Sequence, residues 1–392
     1  MFSRFVSPDH GPVVVGNLDR LTIARLVSNS CYRFAPPFVA VIARGLDVSV
    51  GELGVALMFA EFAGLLSPVI GRVVDRANRR SAMALGMSGV ALSAGGAALS
   101  TGPVTLAVAL FVLSASKVVF DTSLIVWVND HVPYERRGEV VGVIETSWAL
   151  GLFLGVSTMG IVTALSGWRW GFVLGAAAMA VSGASLVRNL PADSAHAPER
   201  EKVRVPIPRV GWLVVASFFA LLGAAQAVGI VFGPWFEDSF GFGSGALVAV
   251  VLATGVVELV GSVGASRVMD RWGKERSVQR GAALMVIACL GMLIGRGSAW
   301  IAVPLVVLFF LGFEFGIVCL LPVAANIVPT ASGVGLGTAV GAGTFGRAVM
   351  SSVATALYES SGPAAPALLA GGLSVCAGAL VLLYRSVSGS RT

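Results

Sequence analysis

Eight charged side chains stand inside long apolar runs: Arg33, Glu61, Lys117, Asp121, Glu145, Glu258, Glu314 and Arg347. A charge at the centre of a bilayer costs at least about 2.5–3.5 kcal/mol on insertion scales, so one kept there is expected to work or to be paired. The five acids, Glu145, Glu314, Glu258, Glu61 and Asp121, are candidates for reversible protonation, because burial disfavours the charged form of a carboxylate. The first half of the chain holds two basic and three acidic members of the set, the second half one basic and two acidic. Even ideal pairing leaves two carboxylates without a cation. A purely structural role, facing water or accepting hydrogen bonds, fits the same residue types.

Spacing adds detail. Lys117 and Asp121 are four residues apart, so they can pair on one helical face. Arg33 follows Tyr32 and precedes Pro36-Pro37; it could bind an anionic group, or pair with Glu61 or Glu145. Glu145 and Trp148 are three apart and could hold a cation together, or Trp148 could simply pack. Arg347 is the only basic residue inside the second-half spans that could offset Glu258 and Glu314. The candidate substrate-cavity residues are therefore Arg33, Tyr32, Lys117, Trp148 and Arg347. His10, His131, His196 and the four cysteines show no metal-ligand or C-x-x-C spacing. Neither a metal nor a cofactor is expected. A Walker A motif is absent, and no nucleophile, histidine and acid cluster within the spans, so an enzyme is not expected.

The elements that must carry these residues are membrane spans. The chain has 392 residues, 56% of them hydrophobic and only 12% charged, with mean hydropathy +0.86. A soluble chain carries about 25% charged residues. Twelve runs approach the roughly 20 apolar residues a crossing helix needs: 22–43, 51–71, 81–99, 103–128, 140–165, 170–189, 211–236, 245–266, 279–296, 299–322, 333–357 and 364–384. Residues 1–20 have no signal-peptide core, so the first span is expected to be a retained anchor. With a cytoplasmic N-terminus, 21 Lys and Arg side chains, Arg25 included, fall in cytoplasmic segments, and only Arg44, Arg169 and Arg296 fall outside. That bias predicts twelve helices with both termini cytoplasmic in the inner membrane. It also assigns the net charge of +6 to loops rather than to a nucleic-acid partner. The polar, proline-rich stretch around 191–210 reads as a cytoplasmic linker between six-helix bundles at 1–190 and 211–392. Trp168, Trp170, Trp212, Trp235 and Trp300 lie near span ends and are expected to anchor at the interface.

The two halves repeat. Gly71-Arg72-Val73-Val74-Asp75-Arg76 follows span two, and Ser266-Arg267-Val268-Met269-Asp270-Arg271 follows span eight. Arg, Val, Asp and Arg coincide at an offset of 195 residues, as do Gly86 and Gly281; Val132-Pro133 and Val328-Pro329 match at 196. The pattern Gly71-x-x-x-Asp75-Arg76-x-x-Arg79-Arg80 resembles the loop signature of the major facilitator superfamily, G-x-x-x-D-R-x-G-R-R/K. Asn78 stands where a glycine is usual and is expected to tolerate a left-handed backbone. Leu113-x-x-x-Lys117 resembles the span-four signature with Lys for Arg. Span five lacks the proline of the antiporter signature, having Gly151-Leu152-Phe153-Leu154-Gly155.

This resemblance implies an all-α fold of twelve transmembrane helices in two pseudo-symmetric bundles. It implies gating by Gly71, Asp75, Arg76, Arg79, Arg80, Asp270 and Arg271, with Asp75 near Gly333 and Asp270 near Gly138. The expected function is secondary active transport of a small organic solute by alternating access, as export coupled to protons, by a monomer in the lipid bilayer. A uniporter or importer of the same fold, or a non-transporting sensor or assembly subunit, is the alternative.

Overall fold

The structure, a computed structural model, describes residues 2–7, 10–67, 69–70, 74, 77–132, 137–191, 206–328 and 332–389. Helices account for every regular element among them. Span one is divided: α1 (Pro12–Arg33) gives way to a 3-10 turn at Pro36–Phe38, then α2 (Val39–Leu46). The two adjacent prolines have no N–H to continue the ladder, which places the break. Span two is α3 (Val50–Phe62), followed by a 3-10 turn at Ala63–Leu66. Spans three and four are α4 (Arg79–Ala98) and α5 (Pro103–His131). Span five is α6 (Arg137–Leu150), a π-helical segment at Gly151–Val156, and α7 (Ser157–Ser166). Span six is α8 (Trp168–Asn189). The remaining spans are α9 (Gly211–Phe240), α10 (Ser244–Trp272), α11 (Lys274–Gly295), α12 (Ala299–Ala325), α13 (Ser332–Ser361) and α14 (Ala364–Gly389). Nine crossing segments among the described residues are long and apolar enough to span a membrane.

The chain forms two compact units. One comprises Met1–Ala35 with Ala63–Glu201, the other Pro36–Phe62 with Lys202–Thr392. In the first, α4 packs on α5 and α8, and α1 packs on α6, the π segment and α8. Leu18, Leu21, Phe120, Trp127 and Phe172 are fully buried there. In the second, α11 packs on α12 and α14, α9 on α13 and α14, and α3 on α13. Each unit thus uses the same pairings, third span on fourth and sixth, first on fifth and sixth, as the internal repeat requires.

The repeated glycines sit where these pairings are tightest. A Cβ on Gly86 would lie 2.7 Å from the Phe120 backbone nitrogen, and one on Gly281 would lie 2.6 Å from the Gly312 carbonyl oxygen. Small residues at such crossings let helix backbones approach closely. The helix starts after the two loop motifs differ. Gly273 takes φ 84° before α11, where only glycine is unstrained. Asn78, its repeat partner, is extended at φ −62° and ψ 127°, and its side chain accepts the Ser81 N–H at 3.0 Å. The expected left-handed backbone at Asn78 is therefore corrected: it is an N-cap, and side-chain capping replaces backbone freedom. The anchoring expectation is also corrected for Trp168 and Trp235, which are buried in protein, whereas Trp170, Trp212 and Trp300 are exposed.

Gly86→Ala and Gly281→Ala are each expected to destabilise the fold by about 1–3 kcal/mol through overpacking. Gly95→Ala, with nothing within 4 Å of the added methyl, is expected to be neutral or stabilising. Thermal unfolding of the three purified variants in one detergent distinguishes them.

Candidate functional site

In the first unit, charged groups from α1, α5 and α6 meet. Arg25 on α1 is buried, at 9% exposure. Its Nη1 lies 2.9 Å from Glu145 Oε1 on α6 and donates to the Ile144 carbonyl at 3.2 Å; its Nε lies 3.4 Å from Asp121 Oδ1 on α5. Lys117 pairs with Asp121 one turn away, as the spacing predicted. Asp121 therefore sits between two cations. Glu145 pairs with Arg25, and its side chain is half-exposed, at 51%.

An aromatic wall adjoins these charges. Arg33 stacks over the Trp148 ring, 4.5 Å from its centroid, and its Nη1 donates to the Trp148 carbonyl at 3.1 Å. Lys117 Nζ lies 5.5 Å from the Tyr32 centroid and 6.0 Å from that of Trp148, and the two rings are 6.5 Å apart. Cation–π attraction favours this arrangement. The suggested Arg33–Glu145 pairing is not the one adopted, because Arg25 takes that carboxylate. Directly after Trp148 the helix widens into the π segment, a form that recurs at functional sites. Ser30 Oγ donates to the Gly151 carbonyl at 3.1 Å, and Asn29 Nδ2 to Ser147 Oγ at 3.3 Å, tying α1 to this region.

Arg25 escaped the sequence reading. It lies inside the span drawn as 22–43 yet was grouped with the cytoplasmic cations, near the end of the apolar run. The signal was available: eight residues separate Arg25 from Arg33, about two helical turns, which puts both on similar faces of α1. Its inclusion supplies the first unit with a third intramembrane cation.

The second unit brings Glu61 and Arg347 together. Arg347 Nη2 and Nε donate to Glu61 Oε1 and Oε2 at 2.9 and 3.3 Å, a bidentate pair linking α3 to α13. Arg347 is thus engaged by Glu61. One turn further along α13, Ser351 accepts from Gln226 Nε2 on α9 at 2.8 Å. Elsewhere in this unit Arg44 pairs with Glu237, Glu359 Oε1 accepts the Gly51 N–H at 2.7 Å, and Tyr358 donates to Asp238 Oδ2 at 2.6 Å. Glu258 on α10 and Glu314 on α12 are both buried. They occupy neighbouring helices: a Cβ on Gly261, one turn after Glu258, would lie 3.3 Å from the Glu314 Cβ.

Much of the gating motif lies outside the described residues: Gly71, Asp75, Arg76 and the side chain of Asp270, and with them the expected contacts near Gly333 and Gly138. Arg79 is buried, with its Nε donating to Asp130 Oδ2 at 3.0 Å and its Nη1 to the Val74 and Ala77 carbonyls at 2.6 and 3.0 Å. It braces the loop before α4. Arg80 is half-buried, and Arg271 is exposed.

A polytopic all-α membrane protein with an internal repeat, ion pairs inside its spans and a basic loop motif after the second span of each half belongs among the membrane carriers. Residues 21–334 match the family model described as Major Facilitator Superfamily, and the chain belongs to that superfamily. It is 26% identical over 175 residues to an uncharacterized MFS-type transporter, YwfA, of Bacillus subtilis (strain 168); the match takes in 42% of the chain and 42% of that relative. Among solved structures it is similar to a mutant of the nucleoside transporter NupG, with TM-score 0.74, 15% identity and coverage of 94% of this chain and 99% of that one. The human organic anion transporter MFSD10 matches at TM-score 0.70 and 19% identity, over 95% and 100% of the two chains. A bacterial homologue of the human lysosomal transporter Spinster, inward-facing and occupied, matches at 0.73 and 14%, over 96% and 97%. At these identities the structural likenesses establish the fold.

Removing one partner of a buried pair leaves an uncompensated charge, at a cost of about 3–5 kcal/mol. Arg347→Leu is expected to destabilise the protein by that order, and Glu61→Leu combined with Arg347→Leu to recover most of it. A double-mutant cycle from thermal unfolding measures the coupling.

Proposed function

We propose that this chain exports a small organic solute across the cytoplasmic membrane by alternating access, coupled to protons and without enzymatic chemistry. Membership of a transporter superfamily supports the transport step. The observation that carries proton coupling is the unequal treatment of the acids within the spans. Asp121 is held by Lys117 and Arg25 together. Glu145 shares Arg25 and is half-exposed, so a proton can reach it. Glu314 is buried, following Phe313 in α12. Glu145 and Glu314 are therefore the favoured coupling residues over Asp121, with Glu258 and Glu61 next. The loop motif at Arg79 and Arg80 and its repeat at Arg271 are assigned to gating, and bundles 1–190 and 211–392, joined by the linker 191–210, to the alternating motion.

Two outcomes test this reading. Thermal-shift screening of the purified protein against metabolites and drugs identifies a solute for proteoliposome assays. Glu145→Gln and Glu314→Gln are then expected to abolish uptake driven by an imposed pH gradient while leaving solute exchange intact; wild-type behaviour in both would favour a uniporter. A cysteine placed at Ser194, with Cys376 replaced by serine, is expected to react with an impermeant maleimide in inverted vesicles and not in intact cells. The reverse labelling would overturn the orientation.

A further inference from the structure

Arg25 is the shared member of the cluster in the first unit. Its Nη1 serves Glu145 and the Ile144 carbonyl, and its Nε faces Asp121 at 3.4 Å, long for a hydrogen bond. With Glu145 ionised, the cations Arg25 and Lys117 balance the anions Asp121 and Glu145. Protonation of Glu145 removes one negative charge from a place where Arg25 is buried. A buried guanidinium left short of an anion is costly, and a planar carboxylate is the group its fork fits best.

Tyr32 and Trp148, both half-buried, adjoin this cluster, with Lys117 and Arg33 against their rings. We infer that this cluster binds an organic carboxylate together with one proton. The proton goes to Glu145, converting its carboxylate to the acid. The Arg25–Glu145 ion pair is exchanged for an ion pair between Arg25 and the solute carboxylate, and the two rings flank the solute body. A monocarboxylate and a proton then move as an electroneutral couple, so an acidic product accumulating inside leaves down its own gradient with a proton. This rests on the proton-coupled reading above and names its substrate class.

Glu145 is the group that titrates in this scheme for a geometric reason. Asp121 keeps Lys117 whether or not Arg25 is released, whereas Glu145 loses its paired cation. The ionisable groups on the elements packed around Glu145 are Asp19, Arg20, Arg25, Cys31, Tyr32 and Arg33 of α1, and Lys117, Asp121, Asp130 and His131 of α5. Asp19 accepts the Ser3 N–H, Arg20 donates to the Gly16 carbonyl, Asp130 holds Arg79, His131 stacks on Trp127, and Cys31 is buried. Arg25 is the one that contacts Glu145.

The test is equilibrium binding of acetate, benzoate and phenylacetate, with the matched amines as controls, to the full-length protein in nanodiscs by titration calorimetry across pH. In wild type at least one carboxylate is expected to bind, about tenfold tighter for each unit the pH falls through the range where binding takes up one proton, and to level off at lower pH, since one proton is linked to one anion. Measurement in buffers of different ionisation enthalpy should give an uptake of one proton. Glu145→Gln imitates the protonated acid, so the anion should bind tightly at neutral pH with its pH dependence gone. Arg25→Gln should lose carboxylate binding. Should Arg25→Gln fail to fold, the Glu145→Gln result alone decides. Binding of amines in place of carboxylates, no carboxylate binding, or an unaltered pH dependence in Glu145→Gln overturns the inference. Amine binding that still displaces a proton would leave proton coupling standing while removing the anion, so the two readings fail separately.

Discussion

Hydrocarbon offers neither backbone amides nor charges a hydrogen-bond partner, and the rest of this structure follows from that constraint. Every crossing segment among the described residues is helical because only a helix satisfies its own N–H and C=O groups within one segment. For charged side chains the solution is local. Arg25 draws on two carboxylates and a carbonyl, Asp121 on two cations, and Arg347 on both oxygens of Glu61. These groups cross between helices, so each also fixes which helices are neighbours.

Charge satisfaction and helix packing reinforce each other unequally along the chain. The crossings at Gly86 and Gly281 need no polar contact; they depend on backbone approach and dispersion. The α1–α5–α6 cluster depends on ion pairs and aromatic faces, and it adjoins the π segment, where the backbone departs from α geometry. Regions held by apolar packing have one good arrangement. In the charged cluster one guanidinium is shared between two carboxylates.

The comparison of Asn78 and Gly273 carries the same lesson at a smaller scale. Two positions related by the internal repeat begin equivalent helices by different means, one with a side-chain acceptor and one with a positive φ. Pseudo-symmetry constrains the path of the chain and leaves local chemistry free. Accordingly the first unit gathers three charged groups about Arg25, whereas the second holds a bidentate Glu61–Arg347 pair and two buried acids on neighbouring helices.

Composition and the length of the apolar runs were sufficient to read an all-α polytopic membrane protein, because those features depend on the solvent a segment must occupy and are written residue by residue; the superfamily was legible only in the resemblance of the loop motif at Gly71–Arg80. The Lys117–Asp121 pair was legible for a related reason: four residues on a helix is a local distance. Partners distant in sequence were not legible. Arg25 with Glu145, separated by 120 positions, and Glu61 with Arg347, separated by 286, meet only because particular helix faces are packed together. Sequence alone placed Arg25 at the margin of its span, and it treated Arg33 as open to either Glu61 or Glu145. Tertiary packing gave Arg25 its two carboxylates, since the cost of burying a charge is settled by whichever opposite charge the folded helices bring within about 3 Å.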